Sequence, residues 1–274
     1  MSTDSPKSSS PLLDQLKQKL SKEATSSDPE TPRNVAPPLE QSKKRIVLLL
    51  SGGLDSTTLL FHLRKQGHDV RCLSFHYGQR HSRETNIAEQ LCSDLNIRHN
   101  RIELATLGHL LKGSSLTDTS VPVPEGEYNE HNMRKTVVPN RNMVMIAIAA
   151  AVAIAEGRDT VSYAAHGGDH TLYPDTRPEY IEALTHLLHL CDWKKVELYT
   201  PFNKLTKRDI VTIGAQLGVP FEITWSCYKG LVAHCGDCTA CTERKQAFVE
   251  AGVPDPTVYG IPEEGGVANG DTEQ

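Results

Sequence analysis

The sequence feature that most constrains the fold is an apolar run followed at once by a glycine turn. Residues 45–50 read RIVLLL, and residues 51–58 read SGGLDSTT. A continuous apolar run that ends in a glycine turn predicts a strand buried on both faces of a parallel sheet. A helix is expected over residues 55–66, so the glycine turn would join a core strand to a helix N-terminus.

The rest of the chain alternates between strand and helix patterns. Further strands are predicted over residues 70–76, 98–104, 160–165 and 195–199, and further helices over 82–95, 140–156, 178–191 and 206–217. This alternation implies right-handed βαβ units, so we predict an α/β fold with a Rossmann-like, doubly wound parallel sheet. Residues 106–139 are expected to be irregular, and a loop of that length is typical of a lid over a site.

Composition sets the domain boundaries. Residues 1–42 are rich in Ser, Pro, Lys and Glu and are predicted to be disordered, and the acidic tail over 262–274 is expected to fray. Between them we expect an α/β domain over 43–222 and a smaller, helical lobe over 223–261.

Charge and hydropathy exclude some classes of protein. The net charge of −5 argues against a dedicated nucleic-acid binder. The longest apolar run, over residues 143–155, is too short to cross a membrane, and the N-terminus lacks a secretory pattern. We therefore expect a soluble, cytoplasmic protein.

Four of the seven cysteines crowd into fifteen residues, namely Cys227, Cys235, Cys238 and Cys241. This clustering indicates a metal site in a reducing compartment rather than a disulfide framework. Four thiolates can close a tetrahedral Zn²⁺ site, so we predict a small C-terminal zinc-binding lobe in which all four cysteines are ligands and the ion is structural. Three alternatives stay open: a [4Fe–4S] cluster, His234 in place of one thiolate, and four free cysteines that bind no metal.

The glycine turn has the chemistry of a phosphate-binding loop. Its glycines allow backbone N–H groups to point inward, and the helix N-terminus adds positive potential. Asp55 can hold Mg²⁺ against phosphates. The candidate nucleotide-binding residues are Leu50, Ser51, Gly52, Gly53, Leu54, Asp55, Ser56, Thr57 and Thr58. The motif SGGxDS is neither a Walker A loop nor a dinucleotide fingerprint, and it resembles the PP-loop of ATP pyrophosphatases. The alternative is that the glycine and serine residues of the turn only cap the helix and bind no ligand.

Five further blocks make the resemblance specific. They lie at residues 75–84, 138–142, 173–180, 200–202 together with 206–207, and 224–228, followed by the cysteine cluster and Arg244. In this order they resemble the QueC family of 7-cyano-7-deazaguanine synthases over roughly residues 44–255. The resemblance implies a fold like that of the PP-loop (adenine nucleotide alpha hydrolase-like) proteins, in a homodimer. It also implies an ATP-dependent ligase that makes the nitrile preQ0 from 7-carboxy-7-deazaguanine and ammonia, with ATP, Mg²⁺ and Zn²⁺.

That chemistry assigns roles to individual residues. The catalytic candidates, which would position the phosphates or stabilise their charge, are Asp55, Arg80, His81, Arg141 and Lys207. The substrate-binding candidates are Tyr77, Asp169, Asp175 and Glu179. The three carboxylates would accept hydrogen bonds from the N–H groups of the guanine-like edge, and Tyr77 would stack on a ring. A buried Arg–carboxylate pair is the alternative for each charged residue, and core packing for Tyr77 and Trp225.

The sequence departs from the family pattern at residues 169–177, which read DHTLYPDTR where the bacterial enzymes have Asp-Tyr-Ser-Gly-Tyr-Pro-Asp-Cys-Arg. The N-terminal extension is a second departure. Three alternatives therefore stay open: a QueC-like enzyme that joins the acid to a protein amine, a PP-loop tRNA thiolase, and a non-catalytic nucleotide sensor. The acidic balance argues against the thiolase.

Overall fold

The computed structural model describes residues 42–108, 110–170 and 173–260. The predicted N-terminal extension, apart from Ser42, and the predicted tail lie outside the described residues.

The described chain forms one five-stranded sheet in which every pairing is parallel. The strands are β1 (Arg45–Leu49), β2 (Asp69–His76), β3 (His99–Glu103), β4 (Thr160–Ser162) and β5 (Glu197–Tyr199). Their order across the sheet is β3-β2-β1-β4-β5. The predicted α/β fold with a parallel sheet is confirmed.

Eight α-helices connect and cover the strands within the described residues. They are α1 (Leu54–Lys65), α2 (Arg83–Asp94), α3 (Ala105–Gly108), α4 (Glu130–Arg134), α5 (Arg141–Ala155), α6 (Pro178–Leu190), α7 (Lys207–Gln216) and α8 (Thr239–Ala251). A capping box starts α7, in which the side chains of Thr206 and Asp209 each accept a hydrogen bond from the other's backbone N–H.

The prediction that residues 106–139 are irregular is wrong in part, because α4 and most of α3 lie there. The local reason at α4 is a side-chain cap that the composition did not reveal. Asn129 Oδ1 accepts a hydrogen bond from the backbone N–H of Asn132 at 3.1 Å, which satisfies a donor that the first turn leaves free.

The strand order makes the sheet doubly wound. The chain moves outward from β1 through β2 to β3 and then returns to the other side of β1 at β4. Since each crossover is right-handed, this reversal places α5 and α6 on the face opposite α1 and α2. Val47, Leu73 and Phe75 pack with α5 and α6 in one buried cluster. A doubly wound sheet binds ligands where the order reverses, here beyond the carboxyl ends of β1 and β4.

No helix in the described ranges is both long enough and apolar enough to cross a lipid bilayer.

Candidate active site

A cavity of about 320 Å³ opens at the reversal point of the sheet. Its walls come from the loop after β1, the start of α2, the loop after β4, the first residue of α7, and α8. Leu116, Tyr128 and Val138, from the section predicted to be a lid, also line it. The sequence-predicted phosphate loop therefore lies in the concave site expected of this fold.

The hydroxyl groups of two serines stabilise the turn formed by the loop after β1. Ser51 Oγ accepts a hydrogen bond from Gly53 N–H at 3.1 Å and lies 3.0 Å from Ser56 Oγ. Ser56 Oγ also accepts from Ser51 N–H at 3.2 Å. Gly52 has a φ of +91°, and its carbonyl accepts from Trp225 N–H at 3.2 Å. The protein's own hydrogen bonds thus fix the turn.

The nine predicted nucleotide-binding residues divide into two groups. Those that line the cavity are Leu50, Ser51, Gly53, Leu54, Asp55 and Ser56. Gly52, Thr57 and Thr58 are placed behind this lining, and both threonine hydroxyls are buried without a hydrogen-bond partner among the described residues. Nucleotide binding by the whole run stays a prediction.

Gly52→Ala should disrupt the loop, because a Cβ at Gly52 would lie 2.1 Å from the carbonyl oxygen of Glu84. Gly67→Ala is the matched control, since Gly67 has a φ of +78° and no described atom within 4 Å of a built Cβ. Both variants lose about 1–2 kcal/mol of stability from the left-handed backbone. We expect only Gly52→Ala to lose ATP binding as well, measured by calorimetry. Equal ATP affinity in the two variants would contradict this account.

Lys207 and Asp55 form an ion pair, which is the first polar centre of the cavity. Lys207 Nζ donates to Asp55 Oδ2 at 2.6 Å and lies 3.3 Å from Glu243 Oε2. Burial alone raises the pKa of Asp55, but the charges of Lys207 and His166 offset it, so the pKa falls below its usual value. Asp55 Oδ1 is buried and has no partner in the described part of the chain. The structure therefore brings together two predicted catalytic residues that lie 152 positions apart.

The loop after β4 adds a second group of polar side chains. His166 Nε2 lies 3.3 Å from Asp169 Oδ2 and 3.9 Å from Asp55 Oδ2. Tyr128 donates its hydroxyl hydrogen to Asp169 Oδ1 at 2.7 Å. Ligand atoms of His166, Asp169 and Glu243 lie within 4.8 Å of one another, a spacing that could also hold a cation. Asp169 lines the cavity as predicted, but both its oxygens already have partners.

At the other end of the cavity lies Arg141, at the start of α5. Its guanidinium carbon is 5.9 Å from the centre of the Tyr77 ring. Burial alone lowers the pKa of Arg141, yet Tyr77 and Asp175 raise it above the usual value. The pKa of Asp175 is raised, since burial outweighs the opposing charge of Arg141. The predicted residues Tyr77, Arg141 and Asp175 thus form a second polar centre.

Arg80 and His81 line the cavity, and each side chain contacts a backbone carbonyl. Arg80 donates to the carbonyl oxygens of Ser115, Asp118 and Val121. His81 Nε2 lies 3.1 Å from the carbonyl oxygen of Cys227. Both side chains therefore brace neighbouring segments, and their predicted role in charge stabilisation stays a prediction.

Glu179 is placed apart from the other predicted substrate residues. It is exposed in the first turn of α6 and does not line the cavity. Trp225, which the sequence left between stacking and packing, is 7 % exposed and donates its indole N–H to the carbonyl of Cys227.

Among the cavity residues that the sequence analysis did not select are Glu84, Tyr128, His166 and Glu243. Glu84 and Glu243 stand inside blocks that the sequence singled out, next to Arg83 and Arg244, so the motif position was an available signal. For Tyr128, in a long loop, the sequence offers no signal that we can identify.

The four predicted metal-ligating cysteines converge as expected. Their sulfur atoms all lie within 4.8 Å of one another, and Cys235 Sγ and Cys241 Sγ are 3.8 Å apart. Zn–S bonds of about 2.3 Å in a tetrahedron place sulfurs about 3.8 Å apart, so the donor set fits Zn²⁺. His234 Nε2 instead accepts a hydrogen bond from Ser226 N–H at 3.1 Å, which disfavours it as a ligand.

The cysteine lobe is joined directly to the cavity. Cys238 occupies the N-cap position of α8, and Cys227, Tyr228 and Glu243 line the cavity wall. Arg244, fully buried, donates to Thr224 Oγ1 and to the carbonyl of Phe221 at 2.9 Å each. The register of α8 therefore fixes Glu243 beside Lys207.

Comparison with known proteins identifies the family. Residues 45–252 match the model of "Queuosine biosynthesis protein QueC". A 7-cyano-7-deazaguanine synthase of Methanoregula boonei is 49% identical over 78% of this chain and 99% of its own. Those of Caldicellulosiruptor saccharolyticus and Pseudoalteromonas translucida are 46% and 42% identical over 79% of this chain and 96% and 99% of theirs. The chain therefore belongs to the QueC family of queuosine biosynthesis proteins.

Proposed function

We propose that this protein is an ATP-dependent ligase that converts 7-carboxy-7-deazaguanine and ammonia into 7-cyano-7-deazaguanine for queuosine biosynthesis. The observation that carries the proposal is one cavity with two polar centres in a QueC-family chain. The first centre is the phosphate loop with Asp55 and Lys207, and the second is Arg141 with Tyr77 and Asp175.

The two centres suit the two ends of an adenylation. The backbone N–H groups of the loop would hold the β and γ phosphates, while the deazaguanine ring would lie toward Tyr77 and Asp175. The carboxylate oxygen attacks the α phosphate and pyrophosphate leaves. Lys207 and Arg141 would stabilise the negative charge that grows on the phosphate oxygens.

Nitrogen enters in the second stage. Ammonia attacks the acyl carbon, AMP leaves, and the product is the amide. The amide oxygen then attacks the α phosphate of a second ATP, and loss of AMP with the remaining N–H proton leaves the nitrile. When bound, Mg²⁺ would neutralise the phosphates, and Asp55 Oδ1, to which no described group is hydrogen-bonded, is the oxygen that would hold it.

Two further expectations belong to this proposal. Zn²⁺ would be held by the four clustered cysteines and would fix the lobe, without taking part in the reaction. The protein would act on small molecules as a homodimer, without contacting nucleic acid or membrane. A molar mass measured by light scattering tests the dimer.

Mass spectrometry of a reaction with the acid, ATP, Mg²⁺ and ammonium tests the proposed function. We expect the nitrile and two AMP for each product molecule. A product that stops at the amide, or is joined to a protein amine, would favour the QueC-like enzyme that joins the acid to a protein amine. Absence of any acid-dependent AMP would favour a nucleotide sensor or a thiolase instead.

A further inference from the structure

Five carboxyl groups line the cavity, those of Asp55, Glu84, Asp169, Asp175 and Glu243. Lys207 neutralises two of them, Asp55 and Glu243. Asp169 is held by His166 and Tyr128. Burial raises the pKa of Asp175, and the charge of Arg141 and the side chain of Asn142 act in the opposite direction.

Glu84 differs from Asp55, Asp169 and Glu243. Among the residues that the structure describes, its carboxyl group has no hydrogen bond and no ion pair closer than 4 Å. A carboxylate that lines a ligand cavity and is left unpaired is a costly arrangement unless something else binds it. Its free oxygens are therefore available to a ligand.

The backbone places Glu84 beside the phosphate loop, where charged groups of both centres act on it. It lies in the first turn of α2, whose backbone packs against Gly52 of the phosphate loop. Its Oε1 lies 3.4 Å from the place that a Cβ on Gly53 would take. Arg141, at the ring-binding end, acts on its charge, as do Asp55 and Lys207 at the phosphate end. In the proposed reaction, the acyl carbon and the α phosphate would meet between the two polar centres of the cavity.

We propose that Glu84 is a further catalytic residue, which binds ammonium beside the acyl adenylate and accepts the protons that the nitrogen loses. This inference rests on the proposed function. An ammonium ion has N–H donors and a positive charge, and an unpaired carboxylate in a partly dehydrated cavity is the matching acceptor.

The proton balance of the reaction requires such an acceptor. Ammonium must lose one proton before its lone pair can attack the acyl carbon, and the attacking nitrogen loses a second as the C–N bond forms and AMP leaves. The amide nitrogen loses a third proton when the amide oxygen is adenylated and the C=N bond forms. Formation of the nitrile from the adenylated amide releases the fourth and last N–H proton as the C–O bond breaks and AMP leaves. Water can take each proton from Glu84 between steps, so no further reactant is needed.

The charge environment of Glu84 is compatible with this role. Burial raises the pKa of Glu84 to about 7, although Arg141 and Lys207 act in the opposite direction. A group that titrates near the working pH can accept a proton in one step and release it in the next.

The variant Glu84→Gln separates nitrogen chemistry from adenylation. Exchange of labelled pyrophosphate into ATP, dependent on the acid, needs no nitrogen, so we expect it to stay within about threefold of the unmodified protein. Amide and nitrile formation should fall by about 100-fold or more, the usual contribution of a positioned base. Glu84→Asp keeps a carboxylate and should restore part of this loss. Glu89→Gln, exposed on the same helix, is the matched control.

The outcomes are distinguishable. Equal loss of exchange and of amide formation in Glu84→Gln would overturn the proposal, because Glu84 would then serve ATP or its metal ion. Unchanged nitrile formation would overturn it as well. If the unmodified protein shows no acid-dependent exchange, the proposed function itself fails, and the role of Glu84 fails with it. Recovery of the variant's amide rate as rising pH supplies free ammonia would support the role.

Discussion

Replacing Lys207 with Met is expected to lower acid-dependent pyrophosphate exchange by about 100- to 1,000-fold, the usual loss when one preorganised donor to a charged transition state is removed. Lys207 is the cation that joins the phosphate loop to α8, through Asp55 at 2.6 Å and Glu243 at 3.3 Å. Its pKa is raised, because the carboxylates of Asp55 and Glu243 outweigh the effect of burial. Lys207 therefore stays charged at every working pH.

Loss of folding must be separated from loss of chemistry, since Lys207→Met leaves two buried carboxylates without their cation. Breaking such a pair from one side costs about 3–5 kcal/mol. The double variant Lys207→Met with Glu243→Gln removes one of those carboxylates, so it should recover stability in thermal unfolding without recovering exchange. Exchange restored by the double variant would contradict a catalytic role for Lys207.

Lys229→Met is the matched control for the loss of a lysine. Lys229 forms two ion pairs, with Glu125 at 2.5 Å and Asp237 at 3.1 Å, but it does not line the cavity. Exposed pairs of this kind contribute about 0–1 kcal/mol each. Exchange by this variant should match that of the unmodified protein.

The strands of the sheet were predictable because each one is specified by a short, continuous stretch of sequence. An apolar run that ends in SGG specifies a buried strand and the turn after it within fourteen residues. The cysteine cluster was predictable for the same reason, since its ligands lie within one short segment. Both predictions are confirmed as placements in space, with the metal itself still a prediction.

The hydrogen bonds and ion pairs among the cavity residues were not predictable, because they join segments that are distant in the sequence. Lys207 lies in a block that resembles the family, but its partner Glu243 lies two residues after Cys241 of the predicted metal site, where the sequence indicates metal binding and not contact with a lysine. Arg80 shows the opposite difficulty. It follows the carboxyl end of β2, where a phosphate ligand is expected, yet its guanidinium is taken by three carbonyls of the lid section. Only the folded chain reveals which cations are already engaged.

Removal of zinc is expected to have the largest effect on stability. Structural zinc sites contribute on the order of 10 kcal/mol, which is comparable to the whole stability of a domain. The effect should reach the cavity, because Cys238 pairs with Glu125 of the lid section and Cys227 lines the cavity wall. We therefore expect Cys238→Ser to lose zinc, cooperative unfolding and ATP binding together.

Cys191→Ser is the matched control, because Cys191 is an exposed thiol outside the cluster, and it should keep one zinc ion per chain. His234→Ala should also keep the metal, since its Nε2 accepts from Ser226 N–H and points away from a ligand role. Elemental analysis by mass spectrometry together with thermal unfolding measures both effects. Iron with visible absorption would instead identify an iron–sulfur cluster, and normal unfolding of metal-free Cys238→Ser would show that the lobe folds without any ion.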